Sequence, residues 1–128
     1  MQPSILIVDD DEDDCRLVKE GLYQVGVRLP IHIVMGGVEA LAFLKENQAS
    51  LPSLIILDFN MPGMNGLEVL RTVNEEYGVP TVLYSTTCTA DVVREAREAG
   101  AIDCIKKGTS FTDNLKFAKY IGDLLRKI

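Results

Sequence analysis

The chain has 128 residues, the size of one ordinary domain with a sizeable core. It carries 19 acidic and 13 basic residues, but six of the acids lie consecutively at positions 9–14, so the rest is balanced and lacks the basic stripe that direct nucleic-acid binding requires. No signal-peptide pattern or membrane-length apolar stretch occurs, and three cysteines without a CxxC pair are expected to be reduced, so a cytoplasmic protein without a membrane partner is predicted.

Short apolar runs typical of buried strands alternate with longer amphipathic stretches typical of helices. The predicted strands are, in chain order, 5–8, 31–34, 54–57, 81–84 and 103–105. The apolar faces of the five intervening and following helices include Leu17, Leu41, Leu67, Val92 and Phe111. The last helix is expected to begin at a cap, Ser110 or Thr112. This alternation predicts one α/β domain over residues 1–128, with a five-stranded parallel sheet covered by helices on both faces.

The six acidic residues follow directly on the first predicted strand. Like charges at neighbouring positions repel, and the repulsion grows with burial, so a strand end that collects them needs a cation or full solvation. Asp9 and Asp10 lie nearest to the strand end and are the expected metal ligands. Residues 11–14 are expected to begin the first helix, where acids remain solvated and meet the positive end of the helix dipole.

The carboxyl ends of parallel strands meet at one edge of a sheet, which is where such folds bind ligands. The first strand delivers Asp9 and Asp10 to this edge, and the third strand delivers Asp58. The fourth strand delivers Ser85 and Thr86, and the fifth delivers Lys106 and Lys107. Carboxylate oxygens suit Mg²⁺, which also accepts phosphate oxygens, and an aspartate can act as a nucleophile toward phosphorus. The sequence therefore predicts phosphoryl transfer to an aspartate, with Mg²⁺ and a lysine neutralising the charge on the equatorial oxygens.

Four stretches, at positions 7–10, 57–66, 85–86 and 106–107, together resemble a response-regulator receiver domain of the CheY-like type. The second stretch contains the specific pattern D-x-x-M-P-x-M-N-G, and the resemblance covers essentially the whole chain. The run at 37–44, Gly-Val-Glu-Ala-Leu-Ala-Phe-Leu, is similar to stand-alone receivers that include partners of bacterial phytochromes. The resemblance implies a flavodoxin-like (βα)5 fold with strand order 2-1-3-4-5.

The resemblance also implies roles for individual residues. Asp58 would accept a phosphoryl group from a sensor histidine kinase or a phosphotransfer protein. Asp9 and Asp10 would bind Mg²⁺, with Asp58 and the backbone carbonyl of Asn60 completing the protein ligands. Ser85 would hold one phosphoryl oxygen. The chain would thus be a phosphorylation switch and not an enzyme, and its downstream protein target is left open.

Lys107 would hold another phosphoryl oxygen, whereas Lys106 is expected to be a solvated residue at the sheet edge. Three residues depart from the receiver pattern. Gly108 stands where receivers usually carry a proline, Cys104 occupies the position of the aromatic switch residue, and Thr86 stands where a smaller residue is common. These departures remove no essential charge, but they leave open how phosphorylation is coupled to output.

The resemblance implies that the fourth and fifth strands with their helices would form the output face, as is usual in receivers, and this face is also a candidate homodimer interface. No separate output domain is expected, so the signal would leave through this surface.

One alternative is a small Mg²⁺-dependent phosphohydrolase of the haloacid-dehalogenase type, but Asp13 stands where that family has Thr or Val, and a cap domain would not fit. The other alternative is a pseudo-receiver that only binds partners.

Overall fold

The computed structural model describes residues 3–61, 63 and 65–128. Its strands are β1 (Ile5–Val8), β2 (Ile31–Val34), β3 (Leu54–Leu57), β4 (Thr81–Ser85) and β5 (Asp103–Lys106). Its helices are α1 (Glu12–Gln24), α2 (Gly37–Glu46), α3 (Gly66–Thr72), α4 (Ala90–Glu98) and α5 (Phe111–Lys127). A 3₁₀ turn (Gln48–Ser50) precedes β3, and a π-helical turn (Val73–Tyr77) continues α3. Pro62 and Met64 of the receiver-like pattern lie outside the described residues.

All five predicted strands and the five helices are confirmed. The strands form one parallel sheet in the order β2-β1-β3-β4-β5, the expected flavodoxin-like arrangement. Strands β4 and β5 each extend one residue further than predicted, because Ser85 and Lys106 still pair with each other. In the centre of the sheet, Val8 of β1 is aligned with Leu57 of β3. The residues that follow these two, Asp9 and Asp58, therefore emerge side by side.

Two apolar cores lie on opposite faces of the sheet. Side chains alternate across a strand, so Leu6 of β1 joins the core under α2, α3 and α4, while Ile7 joins the core under α1 and α5. Leu44 of α2 and Ile121 of α5 are fully buried, one in each core. Each such burial contributes roughly 1.5–3 kcal/mol relative to exposure, so both helix layers anchor the sheet.

The helix ends follow from local chemistry. Asp11 is the N-cap of α1, and its side chain accepts hydrogen bonds from two backbone N–H groups of the first turn. Of the two predicted caps for α5, Ser110 is the one observed. Gly26 and Gly100 follow α1 and α4 with φ angles of 94° and 107°, a left-handed conformation that favours glycine. Among the described helices, none combines the length and the apolar character needed to cross a bilayer.

Candidate functional site

Three carboxylates meet at the carboxyl ends of β1 and β3. Asp9 and Asp58 are only 4% and 7% exposed, whereas Asp10 is open to solvent. One oxygen from each of the three lies within 4.8 Å of the others. Because these donors are all oxygens, the cluster fits a hard divalent cation such as Mg²⁺ better than a soft metal. The predicted convergence of these three residues is therefore what the fold produces.

Backbone hydrogen bonds orient the two buried carboxylates. Asp9 Oδ1 accepts from the N–H of Asp11 at 3.0 Å, and Asp58 Oδ1 accepts from the N–H of Asn60 at 3.1 Å. Each carboxylate thus has one oxygen tied to the loop that follows its strand, while the second oxygen faces Lys107. The carbonyl oxygen of Asn60, implied as a further ligand, belongs to the same loop as Asp58, and its role stays a prediction.

Lys107 reaches the carboxylates from the end of β5. Its Nζ lies 2.7 Å from Asp9 Oδ2 and 3.5 Å from Asp58 Oδ2, and its side chain is 9% exposed. The backbone N–H of Lys107 donates to the carbonyl of Ser85 at 2.8 Å, which extends the pairing of β4 and β5 by one residue. Lys106 is exposed, as predicted. Of the two adjacent lysines, Lys107 is therefore the one that the fold brings to the carboxylates.

Burial and charge act against each other in this cluster. Burial raises the pKa of Asp9 from 3.8 to about 6, and the hydrogen bond from Lys107 opposes this without cancelling it. Burial by itself lowers the pKa of Lys107, but its hydrogen bonds to Asp9 and Asp14 outweigh that effect and raise the pKa. The lysine is held as a cation. The surrounding carboxylates still outnumber it, an imbalance that a bound cation would relieve.

Asp14 is a site residue that the sequence did not predict. It was expected only to help begin α1 in solvent, but its Oδ2 lies 2.9 Å from the Nζ of Lys107. Among the described residues, the side chain of the exposed Asp13 pairs with Arg16. The expectation of a solvated acid therefore holds for Asp13 and is wrong for Asp14. The partner of Asp14 lies 93 residues further along the chain, which no local pattern reveals. Helical spacing was the available signal, because Val18 lies four residues further along α1 and is buried.

Ser85 lies beside the loop that carries Asn60, and a network of polar side chains joins the two. The Asn60 amide donates to Ser85 Oγ at 3.1 Å and to Thr87 Oγ1 at 3.0 Å, and it lies 3.4 Å from Thr86 Oγ1. The N–H of Thr87 also donates to Ser85 Oγ, at 3.3 Å. The amide therefore ties the loop after β3 to the loop after β4, a contact that sequence reasoning missed.

Gly108 and Cys104, two of the three residues that depart from the receiver pattern, each make close contact with a neighbouring side chain. A Cβ atom at Gly108 would collide with the side chain of Asp113, whose Oδ2 accepts from the N–H of Thr109 at 3.3 Å. Glycine is therefore the residue that this turn accommodates, and no cis peptide occurs among the described residues. Cys104 is buried, and its Sγ lies 3.0 Å from the Sγ of Cys88.

Comparison with proteins of known sequence identifies a family for this chain. The family model for the response regulator receiver domain matches residues 5–118. The DNA-binding response regulator MtrA of Mycolicibacterium paratuberculosis is 36% identical over 108 residues, which is 84% of this chain and 45% of MtrA. The chain thus spans less than half the length of that relative, and the similarity concerns the receiver portion alone.

Solved structures agree over nearly the whole chain. The Mn²⁺-bound form of the response regulator Rcp1 superposes with a TM-score of 0.85 at 30% identity, covering 98% of this chain and 96% of Rcp1. The phosphorylated cyanobacterial phytochrome response regulator RcpA gives 0.87 at 28% identity, covering 98% and 94%. The expected likeness to phytochrome partners is therefore confirmed. With the strand order, the acidic cluster and the family match in agreement, this chain belongs to the response regulator receiver domains of two-component systems.

Proposed function

We propose that this receiver domain accepts a phosphoryl group on Asp58 from a phosphohistidine of a sensor histidine kinase or phosphotransfer protein, and thereby switches the binding of a downstream protein. The observation that carries the proposal is the setting of the Asp58 carboxylate. It lies at the carboxyl end of a central strand, 3.5 Å from the Nζ of Lys107 and within 4.8 Å of two further carboxylates. In this function the chain is a phosphoacceptor that turns over only its own phosphoryl group.

The proposal includes Mg²⁺, held by Asp9, Asp10, Asp58 and the backbone carbonyl of Asn60. When bound, the cation neutralises charge on the equatorial oxygens of the transferred group. Its support is the all-oxygen donor set, in which the carboxylates outnumber the lysine. Two relatives add to this support, because the Rcp1 structure is of a Mn²⁺-bound form and the RcpA structure is of a phosphorylated protein.

The transfer requires an in-line displacement at phosphorus. A carboxylate oxygen of Asp58 forms the new P–O bond while the P–N bond of the donor breaks, and the imidazole nitrogen leaves with the bonding electron pair and takes up a proton. The product is an acyl phosphate. The backbone N–H of Asn60, which holds Asp58 Oδ1 at 3.1 Å, keeps the carboxylate oriented for this attack.

Phosphorylation replaces the charge of about −1 on the Asp58 carboxylate with about −1.5 to −2 on the phosphoryl group at the end of β3. In the proposed switch, the ammonium group of Lys107 leaves Asp14 and binds a phosphoryl oxygen. The hydroxyl group of Ser85 gives up its hydrogen bond with the Asn60 amide and binds a second phosphoryl oxygen. Because the Asn60 amide also holds Thr87, this exchange repositions the loop that leads into α4. The change would then reach partners through the face formed by β4, α4, β5 and α5, which is also the proposed homodimer interface.

Exposed apolar side chains beside the site fit a protein as phosphoryl donor. Leu17 of α1 and Phe111 of α5 are 46% and 56% exposed, and both line the groove next to Lys107. Protein–protein contacts are commonly made through contiguous exposed apolar surface. We place this encounter in the cytoplasm, without a membrane or nucleic-acid partner, as the composition led us to expect.

One experiment separates this function from its alternatives. The protein is incubated with acetyl phosphate and Mg²⁺, and its intact mass is measured. A switch gains one phosphoryl group, and Asp58→Asn loses this gain, whereas the matched surface variant Asp91→Asn keeps it. A phosphohydrolase would turn over the donor repeatedly without accumulating label, and a pseudo-receiver would do neither. A phosphoryl gain that survives Asp58→Asn would overturn the assignment of the acceptor.

A further inference from the structure

Two thiols face each other beside the proposed phosphoryl site. Cys88 lies in the loop between β4 and α4, and Cys104 lies in β5. Their sulfur atoms are 3.0 Å apart, and the Cys88 thiol also lies 3.9 Å from the carbonyl oxygen of Ser85. A disulfide bond is about 2.05 Å long, so the sulfurs need to approach by only about 1 Å. This separation lies within the range of small side-chain and loop movements.

We propose that Cys88 and Cys104 form a reversible disulfide when the protein meets a peroxide, and that this bond restrains the loop between β4 and α4. Cys88 is half-buried, whereas Cys104 is 8% exposed, so a dissolved oxidant reaches Cys88 first. Burial and then the contact with Cys88 raise the pKa of Cys104 to about 12, which suits a resolving thiol better than an initial nucleophile.

The chemistry balances with the peroxide as the only oxidant. The Cys88 thiolate attacks one oxygen of the peroxide and the O–O bond breaks. The leaving oxygen takes up the proton that the thiol lost, so the products are a sulfenic acid and water or an alcohol. The Cys104 sulfur then attacks the sulfenic sulfur, the S–S bond forms, and the hydroxyl group leaves as water with the proton from Cys104. The two thiols supply the two electrons that reduce the peroxide. Thiol reductants reverse the bond by exchange, which suits a reducing compartment where such bonds are transient.

A metal site at this pair fits less well. Among the described residues, three side chains that could together bind a metal ion occur only in the aspartate cluster at the sheet edge. No third metal-binding side chain of the described residues joins the two sulfur atoms. Two thiolates alone leave a tetrahedral site for Zn²⁺ half empty. Disulfide formation needs only the two sulfurs that the fold has placed together.

The position of the pair determines what the bond would do. β4 and β5 are adjacent, with Leu83 aligned with Cys104, and Cys88 belongs to the stretch that follows β4. A covalent bond would fasten this stretch to β5 at one point. Thr86 and Thr87, whose side chains lie within hydrogen-bonding distance of the Asn60 amide, come just before that point. Any effect on phosphorylation rests on the proposed function, but formation of the bond and restraint of the loop do not.

The test uses the full chain, reduced and then exposed to hydrogen peroxide, with free thiols alkylated before intact-mass analysis and peptide mapping. We expect the loss of two hydrogens, one linked peptide pair containing Cys88 and Cys104, and reversal by dithiothreitol. Cys15 serves as the internal control, because it is buried at 1% exposure and should be alkylated only after unfolding. Cys88→Ser and Cys104→Ser should each abolish the linked pair.

Hydrogen exchange of the backbone amides at 86–90 provides the second readout, and we expect slower exchange in the oxidised protein than in the reduced protein. The same oxidant applied to Cys104→Ser should leave exchange there unchanged, which controls for oxidation of methionine. A linked pair that includes Cys15, oxidation of Cys88 to sulfinic acid without a link, or equal exchange in the oxidised and reduced proteins would overturn the proposal. Neither readout requires phosphoryl transfer, so failure of the proposed function would be a separate result.

Discussion

Lys107 holds together carboxylates that would otherwise repel one another. Its Nζ lies within 3.5 Å of an oxygen from each of Asp9, Asp14 and Asp58. Removing one partner from a buried ion pair is costly, because the remaining charge loses its compensation without regaining full solvation. The lysine therefore stabilises the fold itself, in addition to the role proposed for it in holding a phosphoryl oxygen.

We expect Lys107→Met to lower the free energy of unfolding by about 1–3 kcal/mol at neutral pH without divalent cations, since it leaves three carboxylates unpaired. Lys106→Met removes an exposed charge from the same strand end and should change stability by less than about 0.5 kcal/mol. Urea unfolding of both variants measures the difference. The reverse order of effects would mean that the wrong lysine has been assigned to the site.

The residues of the site differ in how far the sequence reveals them. Asp9 and Asp58 were predictable because each directly follows an apolar strand, and parallel strands end at a common edge. Asp14 was missed, because the helix-dipole explanation accounts for every acid in the first turn. The spacing of four residues between Asp14 and the buried Val18 was the signal that separates an inward acid from an outward one. The amide contacts of Asn60 with Ser85 and Thr87 depend on the path of two loops, which periodicity does not encode.

At the scale of elements, two helical glycines show how differently the backbone is packed. A Cβ at Gly66, the first residue of α3, would lie 2.7 Å from the backbone oxygen of Phe59 in the loop that also carries Asn60. A Cβ at Gly122 in α5 would meet Val25 and Val27 only at 3.9 Å, an ordinary contact.

We therefore expect opposite effects from the same substitution. Gly66→Ala should destabilise by about 1–3 kcal/mol, because the loop after β3 must shift. Gly122→Ala should stabilise by about 0.5–1 kcal/mol, because alanine restricts the unfolded chain and fits the helix interior. Urea unfolding of both variants tests the pair. A neutral Gly66→Ala would show that α3 does not depend on close approach to this loop.

A second contact between elements joins β5 to α4 and α5. Asp103 of β5 accepts from Arg97 of α4 and from the hydroxyl of Tyr120 in α5, each at 3.2 Å. Burial, and then the negative charge of Asp103, raises the pKa of Tyr120 to about 12. The phenol in the unfolded chain titrates near pH 10. Folding therefore favours the protonated phenol on the proposed output face.

This shift predicts a pH-dependent contribution to stability. Between about pH 10 and 12 the unfolded chain has lost the proton that the native Tyr120 keeps, so the unfolded state binds fewer protons and stability falls as pH rises. Tyr120→Phe keeps the ring beside Phe117 but cannot titrate. The stability of wild type relative to this variant should therefore decrease across that window, as measured by urea unfolding at stepped pH. A constant difference would show that the hydroxyl is not shielded in the native state.

The elements themselves were largely predictable from the sequence. Strands β1 and β3 are buried along their whole length and appear in the sequence as unbroken apolar runs, which is typical of a central parallel strand. The predicted β4 and β5 each ended one residue too early, because Ser85 and Lys106 are polar but still pair with each other. The order of the strands came from resemblance, since alternation alone allows several sheet orders.

At the scale of the whole molecule, the acidic cluster should couple cation binding to global stability. A ligand that binds only the native state stabilises it by about 2.7 kcal/mol at 100 times its dissociation constant. We expect Mg²⁺ to produce a saturable increase in the free energy of unfolding, and Asp10→Asn to reduce it. Asp10 is the informative position because it is exposed and is not among the observed partners of Lys107.

Denaturant unfolding with and without Mg²⁺ tests this coupling. Asp13→Asn removes a nearby exposed carboxylate of the same acidic run and should preserve the full Mg²⁺ effect. Equal stabilisation of the wild type, Asp10→Asn and Asp13→Asn would mean that the cation acts through general screening and not at the cluster.

The order of the strands determines when the site becomes complete during folding. Asp9 follows β1 and Asp58 follows β3, and these strands are neighbours in the sheet although α1, β2 and α2 lie between them in the chain. Lys107 joins them only after the last strand, β5, has formed. Such non-local pairings form slowly. A nascent or partly folded copy therefore has Asp58 but not its surroundings. In the proposed function, only molecules with a complete sheet would take part in signalling.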